Sequence, residues 1–391
     1  MDRQRLFRLS RLHGTAGCGR RIQWQIHVRA NGFTRRCLCH AGGSFACQLP
    51  EFFLSPSALG IHWSAPCRGP TVSGTLKAFI DLAPQLSHFQ DDILSGLSAT
   101  PKTASAKFFY DSEGSRLFDQ ICTLEAYYQT RTECGILADQ AEVFRQSLPA
   151  KAAVIEFGSG SDQKINLLTA ALPSVSAYVP IDISKQYLID TASNFAANKP
   201  EIAVSAICAD FMQHIDLNQI VTDEPRIGFF PGSTIGNLNP PEAMQFLRNA
   251  AKTLGAGGYF VIGVDLKKDP QRLIDAYDDD QGVTAAFNLN LLARINRELD
   301  GTFESRSFQH KVVYVNDPCR IEMHLESCAE QEVKIAGQTF HFSKGETIHT
   351  ENCHKFEISE FQKIAADAGF IAEQVLTDPG KLFSIHILRV A

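Results

Sequence analysis

From residue 152 onward, apolar and polar positions alternate between two kinds of segment. Residues 152–157 form a short apolar run that ends in Gly158-Ser159-Gly160-Ser161. A helical stretch at 164–172 follows, then a second apolar run at 176–181 closed by Asp182. A helix at 186–198 leads to a third run, 203–209, closed by Asp210-Phe211. The fourth run, 226–230, passes into Pro231-Gly232-Ser233-Thr234-Ile235-Gly236-Asn237. The next helix opens on Pro240-Pro241-Glu242, with proline where a first turn tolerates a missing N–H. It stops at the glycines of 255–258, before a fifth run at 259–266. Strands alternating with helices predict a parallel, doubly wound, Rossmann-like α/β sheet.

The pattern differs on either side. Residues 76–137 read as helices with polar turns. After 266 the rhythm breaks into a long helical stretch at 275–299, and short alternating strands occupy 312–350. The earlier rhythm resumes with a helix at 359–368, stopped by Gly369 just past its end, and with strands at 372–377 and 382–390. The expected organisation is a helical N-terminal part (76–145), a core (146–268), an inserted α+β substrate-binding domain (269–357) and a return to the core sheet (358–391). No internal repeat is apparent.

Composition adds a boundary near the start. The chain has 391 residues, 44% hydrophobic and 20% charged, which fits a globular chain. It has no apolar run of bilayer length, so no membrane span is expected. A formal charge of −6 argues against a nucleic-acid partner. Residues 1–75 nevertheless hold ten arginines and no lysine, with only Asp2 and Glu51 as acids, about +8 against about −14 for the rest. Such a segment could be an Arg-rich presequence or a metal module using Cys37, Cys39, His40 and Cys47, whose spacing fits no common zinc pattern. The favoured reading is an extension without a fold of its own. The six later cysteines, scattered and unpaired in spacing, fit reduced thiols in a cytoplasmic protein, and a monomer is expected.

The candidate chemistry lies at the ends of the runs. Gly158 and Gly160 permit a tight turn and close approach of backbone to a ligand. Asp182 ends the second run where an acid can accept from ribose hydroxyls. Asp210 and Phe211 suit an adenine amino group and its ring. A dinucleotide would call for a third glycine and a phosphate on the helix N-terminus, but Gln163 stands at that position and Asp162 adds a negative charge. S-adenosylmethionine, a nucleoside without phosphate and with a positive centre, suits the loop better. Lys164 could then meet the cofactor's methionyl carboxylate. No metal is expected.

Six stretches are similar to one family: 108–119 (FFYDSEGSRLFD), 124–131 (LEAYYQTR), 230–237 (FPGSTIGN), 282–299 (GVTAAFNLNLLARINREL), 321–325 (IEMHL) and 348–356 (IHTENCHKF). Together they resemble the L-histidine Nα-methyltransferases of ergothioneine biosynthesis, collinearly from about residue 98 to the C-terminus. The resemblance implies a class I methyltransferase sheet and S-adenosylmethionine contacts at Gly158, Lys164, Asp182, Asp210 and Phe211. It also implies substrate contacts: Tyr127, Asn237 and Tyr277 around the carboxylate and α-amino group, Tyr110 near the amine, and Met323, Glu351 and Cys353 around the imidazole. Catalytic roles are expected for Tyr110 and Asn237.

The chemistry of these residues agrees with that assignment. Asn237 offers an acceptor for an amine and donors for a carboxylate, although Asn in a Gly-rich turn is often structural. Tyr127 and Tyr128 are adjacent, so one of them is expected in the core. Tyr277 sits among Asp275, Asp278, Asp279 and Asp280, where a solvated helix end is the plain alternative. Glu351 can accept from an imidazole N–H, which would disfavour substrates lacking that donor. Cys353 departs from the family's usual Ser and is a weaker hydrogen-bonding group; His354 beside it could compensate. The alternatives are another aromatic amino acid or a tryptophan-derived amine on the same scaffold, and a silent cofactor-binding protein.

Overall fold

The computed structural model describes residues 23–30, 33–40, 76–82 and 86–391. The chain divides into two units, Met1–Pro70 and Thr71–Ala391. The first contains an antiparallel pair, β1 (Gln23–Ala30) and β2 (Phe33–His40), in continuous register. The readings of 1–75 as an extension, a presequence or a metal module otherwise lie outside the described residues.

The second unit begins with β3 (Ala78–Asp81), α1 (Leu86–Ser98), β4 (Lys102–Thr103), α2 (Ser112–Ile121), α3 (Tyr128–Asp139) and α4 (Ala141–Ser147). The wound part follows as β5 (Ala152–Phe157), α5 (Gln163–Ala171), β6 (Val175–Asp182), α6 (Lys185–Asn198), β7 (Ala203–Cys208), β8 (Arg226–Phe230), α7 (Pro240–Leu254) and β9 (Tyr259–Asp265). Next come α8 (Pro270–Asp275), α9 (Val283–Leu299) and five strands: β10 (Phe308–Val315), β11 (Arg320–Ser327), β12 (Gln331–Ile335), β13 (Gln338–Phe342) and β14 (Thr347–His354). The chain closes with α10 (Ile358–Asp367), β15 (Phe370–Thr377) and β16 (Phe383–Val390).

Eight strands form the main sheet in the order β15-β16-β9-β8-β5-β6-β7-β3. From β9 to β3 every pairing is parallel; β16 runs antiparallel to β9, and β15 to β16. β5 is buried along its whole length, because helices cover both faces of a parallel sheet. Phe157, Phe230, Phe246 and Phe260 interlock on one face. A second sheet, β10-β11-β14-β4, is built mainly from the segment between β9 and α10. Its inner face packs on α2 and α9 through a core that includes Phe109, Phe287, Leu291, Met323 and Leu325.

Two expectations are corrected. Residues 76–137 are not purely helical: β3 completes the edge of the main sheet beside β7, and β4 extends the smaller sheet beside β14. Strands this short carry too little periodicity to be read, and they exist only because an edge is there to pair with. The stretch expected to be helical from 275 to 299 is helical only from Val283: α8 ends at Asp275 and α9 begins after a turn. Gly282 takes the left-handed conformation (φ +70°) and the Asp279 carboxylate accepts from the Val283 and Thr284 N–H groups, so α9 starts afresh there. The interruption leaves Tyr277 in the turn between the two helices.

Candidate active site

The carboxyl edge of β5, β6 and β7 carries the loop and acids singled out above. Gly158 has φ +71°, and its N–H and that of Ser159 both donate to the Ile181 carbonyl. A Cβ on Gly158 would sit 3.4 Å from the Phe211 ring, so glycine keeps the space between loop and ring open. Gly160 is tightly approached by nothing and is exposed. Asp182 accepts from the Ser184 N–H at 2.7 Å, and burial pushes its carboxyl up to about 6. Asp210 accepts from the Met212 N–H at 2.9 Å, which orients it at the end of β7. Phe211 stacks edge-on against Phe230 and Phe246. A cradle opened by glycine, with a buried carboxylate and an aromatic ring beside it, fits the adenosine part of S-adenosylmethionine.

Lys164 departs from the simple expectation. Its ammonium lies 2.6 Å from Glu133, a fully buried carboxylate on α3, and that carboxylate also accepts from the Gly232 N–H at 2.8 Å. Lys164 thus stands behind the Gly-rich turn after β8 and is already paired. Glu156, at the end of β5, accepts from Tyr178, and burial pushes it up to about 7. Neither Glu133 nor Tyr178 stood out in the sequence.

The substrate residues converge. Tyr110, Tyr127, Asn237, Tyr277, Met323, Glu351 and Cys353 line one cavity, with Phe118, Phe287, Thr284 and Gly232 among the remaining walls. Asn237 ends the short 3-10 turn after β8, and its Nδ2 donates to Glu351 Oε1 at 2.8 Å. Its Oδ1 is the atom left to accept from an amine. Burial pushes Glu351 up to about 8, opposed by Lys355. Burial, then Glu351, raise Tyr110 well above its usual value, so it remains a neutral hydroxyl. The Tyr110 carbonyl accepts from Ser184, linking this wall to the cofactor edge.

The two adjacent tyrosines divide as expected: Tyr127 faces the cavity and Tyr128 is in the core. Tyr277 is buried, so the solvated helix end is excluded. Beneath the cavity lies a buried polar cluster that sequence reasoning missed. Lys355, on the segment leaving β14, places its ammonium 2.8 Å from Asp265 and 3.0 Å from both Tyr277 Oη and Cys353 Sγ. Tyr277 Oη and Cys353 Sγ are 2.6 Å apart. Asp265 also accepts from Tyr128 and from Lys268 at 2.6 Å. Burial alone would lower Lys355, but Asp265, then Cys353 and Tyr128, outweigh it and keep the ammonium charged. Lys355 and Tyr277 therefore support the Cys353 thiol. His354 does not: it belongs to the opposite face of β14, across from Arg320, and does not line the cavity.

A parallel sheet whose carboxyl edge carries acids and an aromatic ring, with a second cavity beside it, marks the chain as an S-adenosylmethionine-dependent methyltransferase. The family described as "Histidine-specific methyltransferase, SAM-dependent" matches residues 89–390, and the chain belongs to it. A histidine N-alpha-methyltransferase of Mycolicibacterium smegmatis is 38% identical over 301 residues, 76% of this chain and 93% of the relative. A protein of the same description from Mycobacterium tuberculosis is 39% identical over 302 residues, again 76% and 93%. Ergothioneine biosynthesis protein 1 of Neurospora crassa is 31% identical over 295 residues, 74% of this chain but 33% of that longer protein. The resemblance carried by the six motifs is borne out. Among the described residues no helix is long and apolar enough to cross a membrane.

Proposed function

We propose that this methyltransferase acts on the α-amino nitrogen of L-histidine and adds three methyl groups in succession. The product is Nα,Nα,Nα-trimethylhistidine (hercynine), as in ergothioneine biosynthesis. The observation that carries this reading is the single cavity in which Tyr127, Asn237 and Tyr277 meet Met323, Glu351 and Cys353. One set suits an amino acid's amine and carboxylate, the other an imidazole.

When bound, S-adenosylmethionine supplies a methyl group on positively charged sulfur, open to in-line displacement by a neutral amine. Asp182, Asp210, Phe211 and the Gly158–Gly160 loop hold its nucleoside, and Lys164, steadied by Glu133, faces the methionyl end. Asn237 Oδ1 accepts from the substrate amine and aims its lone pair, while its Nδ2 stays on Glu351. Positioning of this kind supplies much of the barrier reduction. Tyr110, held neutral, does not act as a phenolate base; its hydroxyl relays the amine's proton to solvent, giving up its own proton as it takes the new one. Tyr127 and Tyr277 donate to the substrate carboxylate, and Lys355 polarises Tyr277 from behind at 3.0 Å. Two buried ammonium groups, Lys355 and Lys268, face the single carboxylate of Asp265, so a bound carboxylate balances the cluster. Glu351 and Cys353 meet the imidazole.

A monomer in the cytoplasm fits this reading, since one chain lines the cavity and the six cysteines after residue 75 are free thiols. The test is mass spectrometry of products after incubation with S-adenosylmethionine and histidine. A gain of three methyl groups is expected. Faster methylation of tryptophan would replace histidine as the substrate, and cofactor binding without methylation of any free amino acid would return the chain to a binding role.

A further inference from the structure

The sheet that walls the substrate cavity has a second face. Along β11, Ile321, Met323, Leu325 and Ser327 point inward and are buried, while Arg320, Glu322, His324 and Glu326 alternate outward. β14 runs antiparallel to it, with His349 directly opposite His324 and Asn352 opposite Glu322. Strict alternation would put His349 and Glu351, two residues apart, on the same face. A β-bulge at Thr350 breaks it: the register shifts between Met323 and His324, and the Thr350 hydroxyl donates to the Met323 carbonyl. Glu351 thereby faces the cavity, and His349 joins Glu322 and His324 behind it.

On that back face one donor atom from each of Glu322, His324 and His349 lies within 4.8 Å of the others. His324 Nε2 is 3.1 Å from Glu322 Oε2, and the two imidazole rings are 5.0 Å apart. The second Glu322 oxygen accepts from Arg320. His324 Nδ1 and His349 Nε2 are buried without a hydrogen-bond partner in the protein. An unpartnered buried nitrogen such as His349 Nε2 is unusual, because buried polar atoms are nearly always satisfied; His324 Nδ1 is not the ring nitrogen that faces Glu322.

We propose that Glu322, His324 and His349 bind a divalent transition-metal ion of the Zn2+ class on the back of the substrate-binding sheet. Two residues at i and i+2 on one strand and a third directly across on its neighbour converge on one point by backbone geometry alone. Two imidazoles and a carboxylate suit zinc and its neighbours better than calcium or magnesium, which prefer oxygen-only shells. With metal–ligand bonds of about 2.0–2.1 Å, tetrahedral ligands stand about 3.3 Å apart. The Glu322–His324 pair already has that spacing, and a side-chain rotation of His349 closes the rest. Arg320 shares the carboxylate and so weakens the site relative to one with an unpaired Glu. An ion there would brace β11 against β14, the strands that present Met323, Glu351 and Cys353.

The test uses the full chain, stripped with chelator and titrated with Co2+ and then Zn2+. Expected are about one equivalent of Co2+ with visible ligand-field bands but no sulfur-to-cobalt charge transfer, and a Zn2+-dependent rise in melting temperature. His324→Ala and His349→Ala should each weaken binding by about tenfold or more and abolish that rise. Glu322→Gln, which keeps the shape, should weaken it without unfolding the sheet. Cys328→Ser, at an exposed free cysteine, should change nothing. Absence of metal binding, a thiolate charge-transfer band, or full binding retained in the two histidine variants would each overturn the proposal and leave Glu322 as the ion-pair partner of Arg320 with His324 hydrogen-bonded beside it. None of these readouts depends on which amino acid is methylated.

Discussion

Glu351 and Lys355 are the residues in which burial and function pull hardest against each other. Glu351 is the more direct to test. Its folded-state value, about 8, lies above that of an unfolded glutamate near 4.3. Between those values the folded state binds the extra proton, so its contribution to stability falls as pH rises from about 4.3 to about 8 and is level above that. Glu351→Gln keeps the acceptor for Asn237 and removes the titration. The variant should therefore gain stability relative to the parent as pH rises, by about 1 kcal/mol or more at pH 8, roughly 2–4 °C in a melt. It should also lose histidine turnover. Melting curves at pH 5 and pH 8 check the sign, and an equal gain at both would contradict it. Lys355→Met leaves Asp265 paired with Lys268 and Tyr128 but removes the charge behind Tyr277. Its KM for histidine should rise about tenfold, a loss of about 1.4 kcal/mol. Binding of histamine, which lacks the carboxylate, should weaken by less, since it feels only the lost support of Cys353. Parallel losses for both ligands would mean Lys355 serves the fold alone.

At the level of elements, the site depends on how closely the turn after β8 meets β14. A Cβ on Gly236 would lie 2.7 Å from the His354 carbonyl oxygen and 3.6 Å from Cys353 Sγ. Only glycine lets the 3-10 turn that ends in Asn237 lie against the strand carrying Glu351. Gly236→Ala should push the two apart, costing about 1–3 kcal/mol of stability as overpacked sites do. Activity should fall by more than that loss implies, because Asn237 then misses Glu351. Equilibrium unfolding and steady-state kinetics on the same preparation separate the two effects. The break between α8 and α9 works similarly: α8 ends at Asp275, Asp279 and Gly282 begin α9, and Tyr277 reaches the cavity from the gap.

Over the whole molecule, the family match spans residues 89–390, and the cavity, the cofactor edge and the buried Lys355–Asp265 cluster all lie within it. A chain lacking residues 1–75 should therefore keep its kcat and KM for histidine within about twofold, as expected where the matched region carries the reaction. A large loss on truncation, measured by the same product assay, would give the Arg-rich segment a part in catalysis.

The wound strands were legible in the linear chain because burial on both faces writes continuous apolar runs between helices, and acids stood at their ends. Runs such as 226–230 coincide with the strands to the residue. Asn237, Tyr127 and Glu351 were found through motifs, since a lone polar residue carries no periodic signal. What the tertiary structure alone decided are the contacts between distant segments. Lys355 looked like any lysine until folding set it against Asp265 and Tyr277, and Lys164 looked free until α3 brought Glu133 to it. The β3 and β4 edges, and the bulge that turns Glu351 inward and His349 outward, depend on neighbouring strands. Periodicity records which face of an element is buried; it cannot record which partner waits there, because partnership is a property of the packed chain.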